Sequence, residues 1–137
     1  MWVGIMALAG IGATTPAGVW VTQDRDAWVR IAPCPGQTAV LCGRVERLLD
    51  PAEASAKDEH NPDPSRRHQP VTGLQILSDF KPTAQGWTDG KIYDPEDGRT
   101  HTGLTLRLEG KDRLVISKPL GVLKAEMGRQ VWTRMVP

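Results

Sequence analysis

The chain has 137 residues, of which 39% are hydrophobic and 24% are charged, and its formal net charge is +1. These values are typical of one soluble globular domain with a modest core, and they exclude a disordered chain. Without a basic excess, nothing in the composition favours nucleic-acid binding. Fourteen glycines and eleven prolines indicate many turns, which favours short strands over long helices.

The first 17 residues, MWVGIMALAGIGATTPA, carry no charged side chain. This stretch is shorter than the roughly 20 apolar residues that a membrane span needs, and it matches the apolar core of a secretory signal. No Lys or Arg precedes it, so either the start lies upstream or the amino terminus alone supplies the charge. A first β-strand or a buried helix is the alternative, which the glycines weaken. Small residues that a signal peptidase accepts stand at Ala9, Gly12, Ala13 and Ala17.

We therefore expect residues 1–17 to be a cleaved signal peptide and residues 18–137 to form a single domain. The mature protein would then be periplasmic or secreted in a bacterium.

The two cysteines, Cys34 and Cys42, lie in IAPCPGQTAVLCGRV, where a turn-rich stretch separates two strand-like stretches. A hairpin of this kind brings the two sulfurs near each other. There is no C-x-x-C, and a zinc site would need two more ligands from three scattered histidines. The spacing therefore predicts a structural disulfide, in agreement with export.

Eight stretches have the pattern of β-strands. The clearest is HTGLTLRLEG, in which Leu104, Leu106 and Leu108 alternate with Thr105 and Arg107, as in a strand with one buried face. Short turns follow, and YDPEDGRT has the composition of a hairpin loop. The predicted strands are 18–22, 27–32, 39–47, 73–77, 86–93, 100–109, 112–118 and 129–136.

Two stretches depart from the strand pattern. Residues 48–70 are polar and hold four prolines, which predicts a long loop with one helical turn at 64–67, capped by Asp63 and begun by Pro64. Residues 117–128, SKPLGVLKAEMG, are predicted to be a looser connection.

Short strands joined in chain order favour an all-β fold, a closed or nearly closed antiparallel barrel of about eight strands with one long Pro-rich loop. The interior of such a barrel is either filled by side chains or holds one small ligand.

The first and last predicted strands carry a matched pair of residues. An up-and-down barrel pairs these strands, so Trp20 and Arg134 are expected to meet at one end in a cation–π contact, with Trp132 on the same face as Arg134. This pattern resembles the lipocalin and calycin signature, in which a G-x-W on the first strand is covered by an Arg of the last strand. The matching residues here are Gly18, Trp20 and Arg134.

A series of motifs along the chain indicates a more specific family resemblance. GVWVTQD, IAPC and LCGRV, NPDPSRRHQPVTGLQIL, WTDGKIYDPEDGRT and VWTR occur in that order. Together they resemble the domain-of-unknown-function 2147 family of small exported bacterial proteins. The resemblance covers nearly all of the expected mature chain and implies a small β-rich secreted domain, with no agreed activity.

Candidate catalytic groups are few. Asp94, Glu96 and Asp97 share one turn, whereas a glycosidase needs two carboxylates across a cleft. A calcium-loop pattern is absent, His60, His68 and His101 lack metal-ligand spacing, and no Ser–His–Asp or G-x-S-x-G signature occurs. The sequence therefore predicts no catalytic residue, no metal and no cofactor.

The NPDP motif is the most promising polar feature, because its prolines stiffen alternate positions of a long loop. It either presents side chains to a ligand at the barrel rim or only caps itself through Asx-type hydrogen bonds. The ligand-binding candidates are Asn61, Asp63, Arg66, Tyr93 and Asp94.

The leading hypothesis is a non-enzymatic module that binds a small apolar molecule in the cell envelope. One alternative is a structural or interaction protein with a barrel filled by its own side chains, and another is an enzyme with a site in the long loop. A peripheral membrane contact and the oligomeric state are left open.

Overall fold

The computed structural model describes residues 15–120 and 123–135, with the side chains of all of these except 120 and 123–127. Most of the predicted signal peptide (1–14) and the last residue of the predicted final strand (136) lie outside the described residues. No helix among the described residues is long and apolar enough to cross a membrane. The strands are β1 (Gly18–Val21), β2 (Ala27–Cys34), β3 (Gln37–Leu48), β4 (Gln75–Thr83), β5 (Gly86–Asp94), β6 (Arg99–Glu109), β7 (Arg113–Leu120) and β8 (Leu123–Arg134).

The eight strands pair antiparallel with their neighbours in chain order, and β8 pairs with β1 to close a barrel. The predicted fold is therefore confirmed. The closing seam is short, with Trp20 opposite Arg134 and Val21 opposite Thr133. A side chain extends it, because Gln23 Oε1 accepts a hydrogen bond from the Val131 backbone at 2.8 Å.

Inward-facing apolar side chains form the core of the described part of the barrel, as the period-two pattern predicts. Gly90 and Gly43 make room for their neighbours, because a Cβ at Gly90 would overlap the Phe80 ring and one at Gly43 would crowd Leu77. The buried core cluster consists of Trp20, Val29, Ile31, Leu41, Leu77, Phe80, Leu104, Leu106, Leu114, Ile116 and Trp132.

Two predicted boundaries are wrong. The prediction ended the fourth strand at Leu77, whereas β4 continues to Thr83 through Asp79, whose φ of 61° interrupts the alternation. Residues 117–128 are not a loose connection, because β7 runs to Leu120 and β8 starts at Leu123. Pro119 lies within this hairpin, and the register shifts on either side of it. A positive φ or a register shift interrupts the regular alternation of side chains, so the strand is difficult to recognise from its sequence pattern.

The long connection between β3 and β4 contains two 3₁₀ turns. The predicted turn is present at Pro64–Arg66, and the Asp63 side chain caps it by accepting the Ser65 backbone N–H at 3.0 Å. A second turn, Pro51–Glu53, is capped by Asp50 in the same way and was not predicted.

The β2–β3 hairpin carries the predicted disulfide, which is confirmed. Cys34 and Cys42 are bonded at 2.06 Å, and both residues are buried, at 5% and 8% exposure. No free cysteine occurs among the described residues, and the sequence contains only these two.

Replacing both cysteines by serine should lower the free energy of unfolding by about 2–3 kcal/mol, since the disulfide restricts the unfolded chain. Urea denaturation measures this loss. In the unmodified protein, iodoacetamide in denaturant should label neither thiol until a reductant is added. Labelling of both without reductant would contradict the disulfide.

Candidate ligand-binding site

One end of the barrel is closed by an aromatic floor. Trp20 is fully buried, and the guanidinium of Arg134 lies 4.4 Å from the centroid of its ring. Trp132 is 2% exposed, and its indole N–H donates to Gln130 Oε1 at 2.9 Å. Pairing of β1 with β8 places these side chains together, so this end offers no entrance through the described residues.

Arg134 also forms hydrogen bonds with two backbone segments beside the floor, one before β1 and one between β6 and β7. Its Nη1 and Nη2 atoms donate to the carbonyl oxygens of Ala17 and Thr15 at 3.0 and 2.9 Å. Its Nε atom donates to the Lys111 carbonyl at 2.8 Å. One planar guanidinium therefore stacks on an indole ring and bonds three carbonyls, which a lysine could not do.

The opposite end carries the connections that follow β1, β3 and β5, because consecutive strands alternate in direction. The longest is the β3–β4 connection, residues 49–74, which we call the long loop. Its first residue joins the β1–β2 turn, since the Leu49 backbone N–H donates to the Asp26 carbonyl at 3.0 Å. This loop-bearing end is therefore the candidate entrance to the barrel.

A buried carboxylate ties the long loop to the barrel. Asp58 is fully buried, and its Oδ1 atom accepts the hydroxyl of Tyr93 on β5 at 2.6 Å. Its Oδ2 atom accepts the Asn61 side-chain amide at 2.8 Å. Burial above all, and then the hydrogen bond to Asp58, raises the pKa of Tyr93, so this phenol stays protonated as a donor.

Backbone contacts hold the base of the long loop closed around Asp58. The Asp58 N–H donates to the Gln69 carbonyl at 2.8 Å, and the Val71 N–H donates to the Ala56 carbonyl at 3.0 Å. Beyond this base, the chain touches the β5–β6 turn, where Gly98 at φ 73° leaves no room for a Cβ beside the His60 carbonyl.

Asp63 and Arg66 lie at the exposed tip of the long loop. The Asp63 carboxylate accepts the Ser65 hydroxyl at 2.8 Å, which is the main reason that the pKa of Asp63 is lowered. The Arg66 Nε atom lies 3.6 Å from Asp63 Oδ2, and the two side chains are 63% and 54% exposed. Asn61 Oδ1 accepts the Asp63 backbone N–H, so the NPDP motif does cap itself.

Asp94 shapes the β5–β6 turn. Its side chain accepts the Glu96 backbone N–H at 2.9 Å, and its carbonyl accepts the Gly98 N–H at 2.8 Å. The Asp94 carboxylate is the main cause of a raised pKa at Glu96, followed by burial and by three further carboxylates. Those three belong to Asp26, Asp24 and Asp97.

Two surface clefts flank β3. The larger cleft, of about 370 Å³, borders the disulfide residue Cys42 and the ion pair of Arg30 with Glu46. In that pair, Arg30 Nε lies 2.8 Å from Glu46 Oε1. The smaller, of about 290 Å³, lies between the end of β3 and the first 3₁₀ turn. Within the described residues, no group of three or more His, Cys, Asp or Glu is placed to hold a metal ion.

Comparison with known protein families shows which family the chain belongs to. The model of a family described as "Uncharacterized protein conserved in bacteria (DUF2147)" matches residues 18–134. The chain belongs to the DUF2147 family. This match spans every strand of the barrel and confirms the family that the motifs indicated. No curated protein matches the chain.

The fold of this DUF2147 protein is similar to that of a solved lipocalin-family structure. That structure is protein HP1028 from the human pathogen Helicobacter pylori, described as belonging to the lipocalin family. The TM-score is 0.75 at 19% identity, over 90% of this chain and 84% of that one. At this identity the likeness establishes a shared lipocalin-like barrel.

Three of the predicted candidates lie near one another in this DUF2147 protein. Asn61 and Tyr93 meet at Asp58, and Asp94 follows Tyr93 directly, whereas Asp63 and Arg66 lie at the exposed tip of the loop. Sequence reasoning missed Asp58 itself. It lies in the polar run AKDEHN, where neighbouring acids look alike, so no local signal distinguishes it from Glu59.

Proposed function

We propose that this protein binds a small apolar molecule in the bacterial cell envelope and admits it at the loop-bearing end. The supporting observation is a closed barrel in which Trp20 and Arg134 close one end while the other end carries the long loop. A barrel with one floor and one mouth is suited to enclosing a ligand.

The lining of the barrel supports an apolar ligand. Among the described side chains, the buried polar or charged ones are Asp58 and Ser117, and neither belongs to the core cluster. A ligand inside would therefore be held by apolar contacts and not by charge. Partly buried apolar residues that could face such a ligand pack against the core cluster: Ile76, Trp87, Ile92 and Leu108.

The five polar candidates divide into two roles in this proposal. Arg66 and Asp63, which are exposed at the tip of the loop, would contact a polar end of the ligand. Asn61, Tyr93 and Asp94 shape the entrance, because their side chains already bond within the loop or the turn.

The envelope location is supported by the disulfide, since such bonds persist in oxidising compartments. The likeness to a lipocalin-family protein supports binding over catalysis.

A side-chain-filled barrel is the second candidate, and one observation favours it. Phe80 is fully buried and occupies the space that Gly90 leaves, so the barrel is filled at this level. A protein of this kind would act through its surface, as a structural or interaction module.

Native mass spectrometry of protein purified from its own bacterial envelope tests the proposal directly. We expect a noncovalent adduct that organic solvent removes, and saturable one-to-one binding of N-phenyl-1-naphthylamine to the stripped protein. Phe80→Ala separates the two candidates, with the exposed Thr38→Ala as control. If only Phe80→Ala binds the probe, the natural barrel is filled and the binding proposal fails. Leu77→Ala replaces Phe80→Ala if the latter does not fold.

A further inference from the structure

We propose that residues 15–17 remain in the mature protein as the plug of the barrel floor, so that the leader is cut upstream of Thr15 and not after Ala17. This inference rests on the export part of the proposed function. It moves the expected end of the signal peptide upstream on the basis of contacts within the described residues.

Three consecutive carbonyl groups of this segment are hydrogen-bonded to the floor. The Thr15 carbonyl accepts Arg134 Nη2 at 2.9 Å, and the Ala17 carbonyl accepts Arg134 Nη1 at 3.0 Å. The carbonyl between them, of Pro16, accepts the indole N–H of Trp20 at 2.8 Å. Pro16 is itself among the fully buried residues. The segment is therefore part of the folded domain.

A cut after Ala17 would damage the floor in two ways. It would remove all three carbonyls, leaving the buried indole N–H of Trp20 without its acceptor, which is costly in a core. It would also create a positively charged amino group at Gly18. A Cβ at Gly18 would lie 3.0 Å from Arg134 Nη1, so the new charge would be close to the guanidinium and would repel it.

The sequence offers small residues that satisfy a signal peptidase before Thr15. Two alanines upstream of Thr15 have the small side chain that a signal peptidase accepts: Ala9, which forms an A-x-A pattern with Ala7, and Ala13, which ends the longer apolar run. Cleavage after Ala13 is hydrolysis of the Ala13–Thr14 amide. Water supplies a hydroxyl to the Ala13 carbonyl carbon and a proton to the Thr14 nitrogen.

The first test is the amino terminus of the full chain expressed in a bacterium. Intact mass and amino-terminal sequencing of the envelope fraction should show a start at Thr14. A start at Gly10 also retains the plug and supports the proposal. A start at Gly18 overturns it and leaves export standing, whereas an intact Met1 overturns both. Ala13→Leu should abolish a start at Thr14, while the matched control Ala17→Leu should be processed as the natural chain is.

The second test does not depend on export. Purified chains that start at Thr14, Ala17 or Gly18 should fall in that order in Tm, and the last should lie at least about 5 °C below the first. The chain starting at Ala17 keeps one of the three bonds, so the series stays informative if the shortest chain does not fold. Equal Tm values would overturn the proposal.

Discussion

Replacing Trp20 by alanine should cost about 3–5 kcal/mol of unfolding free energy, as expected for a large aromatic ring removed from a core. Trp20 is fully buried, packs in the core cluster and joins the plug to the barrel floor. Urea denaturation followed by circular dichroism measures the loss. The exposed variant Thr38→Ala, which leaves the core intact, should stay within about 0.5 kcal/mol of the natural protein.

A double-mutant cycle isolates the contact between Trp20 and Arg134. Arg134→Ala alone should cost about 2–3 kcal/mol, because it removes the stacked cation together with its hydrogen bonds to three backbone carbonyls. The double mutant should cost less than the sum by about 0.5 kcal/mol or more, since the interaction is lost once. Arg134→Lys is the matched control, keeping the charge while losing the planar fork. Additive losses would mean that the cation–π contact contributes nothing measurable to the closure of the barrel.

Replacing Asp58 by alanine should cost about 3 kcal/mol, because the Tyr93 hydroxyl and the Asn61 amide would lose the acceptor that they share beneath the loop. Tyr93→Phe removes one donor and leaves the carboxylate, so it should cost about 1–2 kcal/mol. The double variant Asp58→Ala/Tyr93→Phe should lose less free energy of unfolding than the two single variants together, because the Asp58 carboxylate and the Tyr93 hydroxyl bond each other.

Hydrogen exchange locates the effect of Asp58→Ala. The backbone N–H groups of Asp58 and Val71, which close the base of the long loop, should lose protection while the core strands keep theirs. Asp50→Ala is a control at an exposed cap of the same loop and should cost about 0.5–1 kcal/mol. If Asp58→Ala leaves stability and exchange unchanged, the buried carboxylate does not hold the loop.

Features that depend on local pattern could be predicted from the sequence. Strict alternation located β6, and the turn-rich spacing of Cys34 and Cys42 placed both in one hairpin, where they form the disulfide. Asp63 followed by Pro64 predicted the 3₁₀ turn, because the cap and the proline act on adjacent residues. Such interactions are short in sequence, so the residues themselves carry the signal.

Strand boundaries with irregular pairing could not be predicted. Residues 117–128 contain Pro119 and Gly128, which suggest a connection, yet the register shifts of the β7–β8 hairpin accommodate Pro119. In β4, Asp79 adopts a positive φ that no local rule assigns to an aspartate at that position. Pairing with neighbouring strands outweighs local preference at both places, because each strand gains its hydrogen bonds from another part of the chain.

The sequence alone determined the all-β class, the order of the strands, the disulfide and the family, since each follows from alternation, turn residues or motif order. Only the tertiary structure decided that Asp58 is the buried anchor of the long loop and that residues 15–17 belong to the floor. Asp58 meets Tyr93 across 35 positions, and Arg134 meets Thr15 across 119. Contacts this distant form only when the closed barrel brings the segments together. Burial then makes the loss of a hydrogen-bond partner costly, as at Asp58 and at the indole N–H of Trp20.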